Sequence, residues 1–365
     1  MAYQICKRCV MDNAADPYIR FDEQGYCNYC TEALEHAPKV YFPNEEGQRR
    51  LEKMLRTVKE AGKGKEYDCI MGLSGGLDSS YLAYLGYKWD LRILAVHTDD
   101  GYDTEISKEN IRKLCAAATI KLIVAEPDRV QYDGLIRAHM EAGVPNIAAP
   151  QDSIALAYVY KAAREAGIKY LLSGVNFAME SLGQHSDSGS YMDLVNIKDI
   201  NRRFGTEKTD RLKFMTSYWK YAMQKTGRLV TLYPLDYVDY NRDRAFAELK
   251  EFCGFEYYGR KHLENILTAF IQLRWYPEKF GIDKRKWHLS SMIASGQMTR
   301  DEALHELQEP MFDEDIMTEY VALIKKRMAL SDEELERIMK APVHDHSEYR
   351  TDKIDPLIRK VFFSK

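Results

Sequence analysis

The chain has 365 residues, enough for one large or two modest domains with a sizeable core. Hydrophobic residues make up 45% and charged residues 30%, an ordinary composition for a soluble protein, and no apolar run reaches the roughly 18 residues of a membrane-spanning helix. The net charge of −4 argues against tRNA or DNA as the main substrate, because phosphate contacts usually require a basic excess.

The first 45 residues carry two Cys-x-x-Cys pairs, Cys6 with Cys9 and Cys27 with Cys30. The N-terminal stretch lacks the apolar run of a signal peptide, so a cytoplasmic, reducing location is expected and metal is favoured over disulfides. Four thiolates at this spacing predict a closed, structural Zn²⁺ site in a ribbon-like segment too small to hold a core of its own. A redox pair and an iron–sulfur cluster are the alternatives.

Residues 37–47 are rich in turn formers and predict a linker. From residue 46 to residue 240, apolar runs alternate with helical periodicity, which predicts an α/β domain with a doubly wound parallel sheet. The predicted strands are residues 68–73, 91–97, 120–125, 168–172 and 228–233, and the predicted helices are residues 48–60, 78–88, 104–118 and 153–166. Residues 241–365 are rich in charge and helix formers and predict a helical C-terminal region.

The heptad SGGLDSS, residues 74–80, lies between the first predicted strand and the helix that follows it. Its glycines allow a close backbone approach to a ligand, and the helix N-terminus presents N–H groups and positive potential to an anion. Asp78 cannot donate to phosphate when ionised, so we expect it to hold Mg²⁺ against the phosphates. A simple glycine-rich turn with an aspartate cap is the alternative. The predicted phosphate-binding residues are Leu73, Ser74, Gly75, Gly76, Asp78, Ser79 and Ser80, with Ser74 and Asp78 as the catalytic pair.

The heptad resembles the pyrophosphate loop (PP-loop) of the ATP pyrophosphatase superfamily, whose motif is Ser-Gly-Gly-x-Asp-Ser and whose members cleave ATP to AMP and pyrophosphate. The resemblance implies a PP-loop/HUP-like nucleotide-binding fold. It also implies that His97 and Asp99, after the second strand, lie near the adenosine, and that Gly174, after the fourth, lets the nucleotide approach. Simple N-capping of the next helix is the alternative for Asp99 and Asp100.

Two basic stretches of the C-terminal region, residues 259–265 and 279–288, could grip a nucleotide-sugar diphosphate or a carboxylate. The candidate residues are Lys261, Lys284 and Arg285. A solvated helix face is the alternative for each stretch.

The cysteine pairs, the SGGLDSS loop and the stretch FGIDKRKWHLSSMIASGQMTRDEAL together resemble the N-acetyl sugar amidotransferases of surface-polysaccharide (O-antigen and LPS) biosynthesis. The resemblance implies that ATP adenylates the acetamido group of a nucleotide-activated sugar and that ammonia displaces AMP to give an acetamidino group. It also implies a separate glutaminase and a cyclase-like barrel as ammonia-delivering partners.

Two other functions compete with this one. A tRNA thiolase or lysidine-type synthetase would share the loop, but should be more basic, and a thiolase would usually carry a catalytic cysteine pair. Cys69, Cys115 and Cys253 form no such pair by their spacing. The second competitor is a non-catalytic zinc-ribbon scaffold that binds nucleotide as a regulator.

Overall fold

The computed structural model describes residues 2–182, 192–260 and 262–353, and its centre is a five-stranded parallel sheet. All five predicted strands are present, and the predicted doubly wound α/β class is confirmed. The strands are Cys69–Gly72 (β1), Ile93–Thr98 (β2), Lys121–Ala125 (β3), Tyr170–Leu172 (β4) and Val230–Leu232 (β5).

The strand order is β3-β2-β1-β4-β5, so the chain builds outward from β1 in one direction and then returns to its other side. The direction of winding therefore reverses between β1 and β4. In open parallel sheets, the carboxyl ends of the two strands at such a reversal diverge and leave a crevice for ligands. The SGGLDSS loop follows β1 and Ser173-Gly174 follows β4, so both border this crevice.

Helices cover both faces of the sheet, because successive side chains of each strand point to opposite sides. Met71 and Ala95 pack in one buried cluster with Leu82, whereas Ile70 and Leu94 pack in another with Val159. The flanking helices are Glu45–Gly62 (α2), Leu77–Lys88 (α3), Glu105–Ala117 (α4), Ala149–Glu165 (α6) and Arg242–Cys253 (α10).

A second, purely helical core lies beside the sheet and includes the buried side chains of Leu135, Trp275 and Ile324. Its helices are Arg129–Glu141 (α5), Leu194–Phe204 (α8), Ile266–Phe270 (α11) with its π-helical continuation Ile271–Phe280, Glu314–Met328 (α14) and Asp332–Lys340 (α15). The shorter helices are Phe177–Glu180 (α7), Ser217–Lys225 (α9), Arg285–Ala294 (α12) and Arg300–Gln308 (α13). The predicted helical C-terminal region is confirmed, since residues 241–260 and 262–353 contain no strand.

The predicted linker is wrong over most of its length, because helix Asn28–Val40 (α1) extends into its start and α2 begins at Glu45. Pro38 lies inside α1, but only in its last turn, where the missing N–H costs one hydrogen bond. The helix continues past it, and the Tyr41 N–H donates to the Ala37 carbonyl at 2.9 Å.

The cysteine segment packs against the rest of the chain, as expected for a segment without its own core. Its buried side chains share one hydrophobic cluster with Phe177, Leu182 and Trp287. Arg300 also donates to the carbonyls of Cys6 and Cys9, at 3.1 Å each. The division of the chain at residues 45 and 240 stays a prediction. Among the described residues, no helix is both long and apolar enough to cross a membrane.

The central strand should carry more of the stability than the edge strand. We expect Ile70→Ala, at a fully buried position of β1, to lower the free energy of unfolding by about 2–5 kcal/mol, because the site cannot collapse around the cavity. Ile123→Ala makes the same change on edge strand β3, where the side chain is 37% exposed, and should cost about 1 kcal/mol or less. Urea unfolding measures both, and equal losses would contradict the buried position of β1.

Candidate active site

The backbone of the SGGLDSS loop requires glycine at its second position. Gly75 has φ of +81°, and a Cβ there would lie 2.2 Å from the Ser107 hydroxyl oxygen. That hydroxyl donates to the Ser74 carbonyl at 3.3 Å. Helix α3 starts at Leu77, and its N-cap, Gly76, supplies no capping side chain. The helix N-terminus is therefore left for other groups to satisfy.

Two of the three loop serines present their hydroxyls at the sheet edge. The hydroxyl oxygens of Ser74 and Ser79 lie 3.1 Å apart, and the Gly76 N–H donates to Ser74 at 3.1 Å. Both residues line cavities, as described below. Ser80 is fully buried and lines neither cavity, so its hydroxyl is not placed to meet a phosphate.

Two tyrosines that the sequence did not single out hold the start of α3. Tyr258 accepts a hydrogen bond from the Leu77 N–H at 2.7 Å, and Tyr240 donates to the carboxylate of Asp78. Burial raises the pKa of both phenols well above the ordinary value, so both keep their protons. Nothing local predicts these contacts, since both tyrosines are more than 160 residues from their partners.

His97 joins the loop to the end of the neighbouring strand. Its Nδ1 lies 2.8 Å from the Leu73 carbonyl oxygen and its Nε2 lies 2.9 Å from a carboxylate oxygen of Asp103. Both partners are acceptors, so they favour the protonated ring, which donates from both nitrogens. Burial lowers the pKa of His97, but the hydrogen bond and charge of Asp103, the bond to the Leu73 carbonyl and the charge of Asp99 together outweigh it, and the pKa is raised.

Two adjoining cavities open at the loop, with volumes of about 200 Å³ and about 590 Å³. Together they are large enough for a ligand of nucleotide size. The residues common to both are Ser74, Val175, His262 and Glu264. The smaller cavity is also lined by Asp78, Ser79, Gly174, Glu180 and Arg242. The larger is also lined by Leu73, His97, Asp100, Gln151 and Lys284.

The two aspartates after β2 do not cap the next helix. Thr104 caps α4 instead, with its hydroxyl accepting from Ser107 N–H at 3.2 Å. Asp100 is buried at the wall of the larger cavity, where it accepts from the Tyr132 hydroxyl at 2.8 Å, and burial raises its pKa to about 6. Asp99 accepts from the Gly101 N–H at 2.8 Å and lines neither cavity.

Gly174 lies against the loop itself. A Cβ at this position would lie 3.3 Å from the backbone nitrogen of Ser79, tighter than an ordinary contact. The small residue therefore lets the end of β4 pack closely against the start of α3, and it lines the smaller cavity together with Asp78. This placement explains why glycine stands here whether or not a nucleotide lies beside it.

The candidate substrate residues are dispersed. Lys261 lies outside the described residues. Lys284 lines the larger cavity, with its ammonium group 3.4 Å from the centre of the Trp287 ring. Arg285 lines neither cavity: its guanidinium pairs with Asp283 at 2.8 Å and donates to the Glu309 carbonyl at 3.0 Å. From the stretch 259–265, the structure brings His262 and Glu264 to the shared wall of the two cavities.

The four paired cysteines form a compact, fully buried cluster. Their sulfur atoms all lie within 4.8 Å of one another, with Cys6 and Cys30 at 3.8 Å and Cys9 and Cys27 at 3.6 Å. A tetrahedral ion with bonds of about 2.3 Å places its sulfurs about 3.8 Å apart. The Cys27 N–H also points at the Cys6 sulfur at 3.2 Å, which suits a thiolate. The cluster can therefore hold a metal ion.

The three remaining cysteines are not activated thiols. Burial raises the pKa of Cys69 and of Cys253, and it raises that of Cys115 to about 11. A nucleophilic cysteine needs the opposite shift. The thiol of Cys253 donates to the Leu249 carbonyl at 3.3 Å, within its own helix. These features weigh against the thiolase alternative.

A family model supplies the link to a biological process. Residues 264–362 match the model described as "LPS biosynthesis protein WbpG-like, C-terminal domain". The chain carries a WbpG-like C-terminal domain. The match contains the stretch FGIDKRKWHLSSMIASGQMTRDEAL and confirms the predicted family of surface-polysaccharide biosynthesis. The WbpG-like domain contributes Lys284 and Glu264 to the walls of the cavities, and its His288 lies beside His262 with ring centroids 5.4 Å apart.

The chain is also 25% identical over 170 residues to an uncharacterized protein of Methanocaldococcus jannaschii, MJ1599, a match that covers 46% of this chain and 58% of that protein. Thus little more than half of the relative's length is matched.

Distant solved structures include the NH3-dependent NAD synthetase of Campylobacter jejuni, which is 16% identical to this chain and has a TM-score of 0.34. The match covers 82% of this chain and 98% of that chain. The U34-tRNA thiolase NcsA of Methanococcus maripaludis, solved with its [4Fe-4S] cluster, has 15% identity, 85% and 90% coverage and a TM-score of 0.32. TM-scores this low carry no argument about activity.

The His97–Asp103 pair makes stability depend on pH. Because the pKa of His97 is raised, its stabilisation is complete below the unfolded pKa of about 6.5 and is lost as pH rises through the folded pKa. We expect His97→Gln to cost about 1.5–3 kcal/mol at pH 5.5 and less at pH 9. Urea unfolding at both pH values tests this, with exposed His305→Gln as the control. An equal loss at both pH values would show that the pair is not charged.

Proposed function

We propose that this protein is an ATP-dependent amidotransferase that converts an acetamido group of a nucleotide-activated N-acetyl sugar to an acetamidino group. One observation carries the proposal. In a chain with a WbpG-like domain, the SGGLDSS loop lies at the sheet's switch point and opens on two adjoining cavities that share one wall. An enzyme that transfers the AMP group of ATP to a second substrate must hold both molecules next to each other. Two cavities that share one wall at the phosphate loop suit this requirement.

The larger cavity suits the nucleoside of ATP. It runs between the ends of β1 and β2 and helix α6, with Val96, Ala155 and Val159 on an apolar wall. The phosphates would then lie at Ser74 and on the N-terminus of α3, where backbone N–H groups and the helix dipole favour negative charge. His97, positively charged behind the Leu73 carbonyl, adds to that potential.

Asp78 fits the expected Mg²⁺ site. Its carboxylate lines the smaller cavity at the start of α3, and Tyr240 orients it by a hydrogen bond. A carboxylate oxygen beside a phosphate site is the ligand type that Mg²⁺ takes in nucleotide enzymes. Bound there, the ion would offset charge on the pyrophosphate as it leaves.

The smaller cavity suits the acetamido group of the second substrate. With that group at the shared wall, its oxygen can attack the α-phosphorus of ATP, and pyrophosphate leaves toward the loop. Lys284, at the wall of the larger cavity, is one candidate to contact the diphosphate of a substrate that extends from the shared wall, and Lys261 is a further candidate. Arg285 would act indirectly, since its bonds to Asp283 and the Glu309 carbonyl hold the start of α12.

Ammonia then displaces AMP from the adenylated group. By the family resemblance, we propose that a separate glutaminase with a cyclase-like subunit supplies it. The product amidine is a cation at neutral pH, whereas the starting amide is neutral. The carboxylates of Glu180 and Glu264 in the smaller cavity suit that gain of positive charge.

We propose Zn²⁺ for the cysteine cluster, because the sulfur separations match one tetrahedral ion. A four-iron cluster would spread its thiolates over four separate irons and hold them farther apart. The ion would be structural, since four cysteine ligands leave no open position.

Release of AMP tests the proposed reaction directly. We expect purified protein with ATP, Mg²⁺ and ammonium chloride to form AMP and pyrophosphate only when one member of a panel of UDP- and CMP-linked N-acetyl sugars is added. Mass spectrometry of that sugar should show an amide oxygen replaced by nitrogen. AMP release with tRNA and with no sugar would overturn the proposal in favour of an RNA-modifying enzyme.

Asp78→Asn should abolish this turnover with the fold intact, because asparagine can still accept from Tyr240 but binds Mg²⁺ poorly. We expect a loss of at least about 10²-fold in rate. Asp90→Asn is the matched control, since Asp90 is exposed, lies before β2 at the opposite end of the sheet, and has a left-handed backbone (φ 56°) that asparagine tolerates. Near-wild-type turnover by Asp78→Asn would refute the role of Asp78.

Metal analysis tests the cysteine cluster. We expect one zinc per chain by elemental mass spectrometry, and loss of both the zinc and the cooperative unfolding transition in Cys9→Ser, because the segment depends on the ion. Cys253→Ser is the matched control and should retain the metal, since its thiol lies in α10. Iron with sulfide, or no metal in the wild type, would contradict the zinc assignment.

A further inference from the structure

His262 has an unusual backbone at the wall shared by the two cavities. Its φ is +64°, a left-handed conformation that costs a non-glycine residue free energy and persists only where the surroundings impose it. The residues that follow His262 are bonded to the loop after β2. The Thr104 N–H donates to the Glu264 carbonyl at 3.0 Å, and Asn265 forms an isolated β-bridge with Asp103. The strained turn presents the imidazole to both cavities.

Two carboxylates flank that imidazole from different elements. Nε2 lies 3.8 Å from Glu180, at the end of α7, and Nδ1 lies 4.0 Å from Glu264. The His288 ring lies nearby, tilted by 60° to the His262 ring with centroids 5.4 Å apart. Negative charge on both sides stabilises the ring when it takes a proton. The other titratable and charged groups that line the same cavities are Asp78, His97, Asp100, Asp103, Asp152, Arg242, Tyr132, Tyr257, Tyr258, Tyr276 and Lys284.

We propose that His262 accepts the proton released when ammonia attacks the adenylated substrate, an inference that rests on the proposed function. The lone pair of ammonia forms the new C–N bond at the adenylated carbon. The imidazole takes one proton from the attacking nitrogen. The C–O bond then breaks, AMP leaves with its electron pair, and the amidinium cation remains between the ring and the two carboxylates.

The position of the ring relative to the phosphate loop supports this role. Glu264 connects the two, since its carboxylate lies 3.5 Å from the Ser74 hydroxyl oxygen as well as 4.0 Å from the ring. The ring therefore lies beside the loop at which AMP is formed. Glu180 and Val175 also line a third cavity of about 640 Å³ between α1 and the turn Pro234–Tyr237, so this cavity lies next to the smaller one.

Two other titratable groups at the larger cavity, His97 and Asp100, are less suited to this step. His97 donates from both ring nitrogens, to Leu73 and Asp103, and so has no lone pair for a proton. Asp100 is fully enclosed and already accepts from Tyr132 and Gln151. A proton acceptor must reach the reacting atom, and His262 lines both cavities where they meet.

The two half-reactions can be measured separately on the full chain. Adenylation is measured by the exchange of labelled pyrophosphate into ATP. The assay contains the UDP- or CMP-linked N-acetyl sugar that supports AMP release, and it contains no ammonium. Amidine formation with ammonium chloride reports the second step. His262→Asn keeps a residue that tolerates the left-handed backbone but removes the base. We expect exchange within about twofold of wild type and amidine formation at least about 10²-fold slower.

Further readouts separate proton transfer from a structural role. His262→Gly also accepts the left-handed backbone, and free imidazole should restore its amidine formation. At a constant concentration of unprotonated ammonia, the wild-type rate should rise with pH, and this rise should be absent in His262→Asn. His305→Asn, an exposed histidine on α13, is the matched control.

The outcomes distinguish the two proposals. No sugar-dependent exchange in the wild type would overturn the amidotransferase function and the role of His262 with it. Normal exchange and normal amidine formation in His262→Asn would overturn the role of His262 alone. Equal loss of both steps, without rescue by imidazole, would show that His262 only supports the structure of the cavity wall.

Discussion

The backbone of the SGGLDSS loop is held by side chains that come from several distant parts of the chain, and the rest of the site depends on this. His97 of β2 donates to the carbonyl of Leu73, Ser107 of α4 donates to the carbonyl of Ser74, and Tyr258 accepts from the N–H of Leu77. A loop so constrained keeps its N–H groups oriented before any ligand arrives. Anion binding by a helix N-terminus requires such an orientation.

Groups that favour opposite charges lie close together around this loop. His97 at the larger cavity and the N-terminus of α3 at the smaller one favour phosphate. Glu180 and Glu264 flank His262, an environment that favours a developing cation. In the proposed reaction, adenylation would need stabilisation of the negative pyrophosphate, and amidine formation would need stabilisation of the positive product. The groups that line the two adjoining cavities suit both requirements.

The cysteine cluster supports the site without contacting its ligands. Its segment packs on α12 through Trp287, and Arg300 at the start of α13 donates to two of its carbonyls. The same helix α12 contributes His288, whose ring lies at a tilt beside that of His262, and its N-cap residue Lys284 lines the larger cavity. A metal that orders the N-terminal segment therefore also fixes the helix that forms one wall of the site.

The features that follow from neighbouring residues could be predicted from the amino-acid order. These include the five strands, the SGGLDSS turn and the cysteine cluster, because alternation, glycine tolerance and ligand spacing are local properties. The prediction of a linker at residues 37–47 was wrong because Pro38, in the last turn of α1, does not end that helix. Tyr240, Tyr258 and His262 could not be assigned in advance, and Arg285 was placed near substrate although it bonds Asp283. The contacts of Tyr240, Tyr258 and the turn that holds His262 depend on how the C-terminal part of the chain packs over the SGGLDSS loop, about 160 to 190 residues earlier. Such contacts arise from tertiary packing, and no local pattern in the amino-acid sequence predicts them.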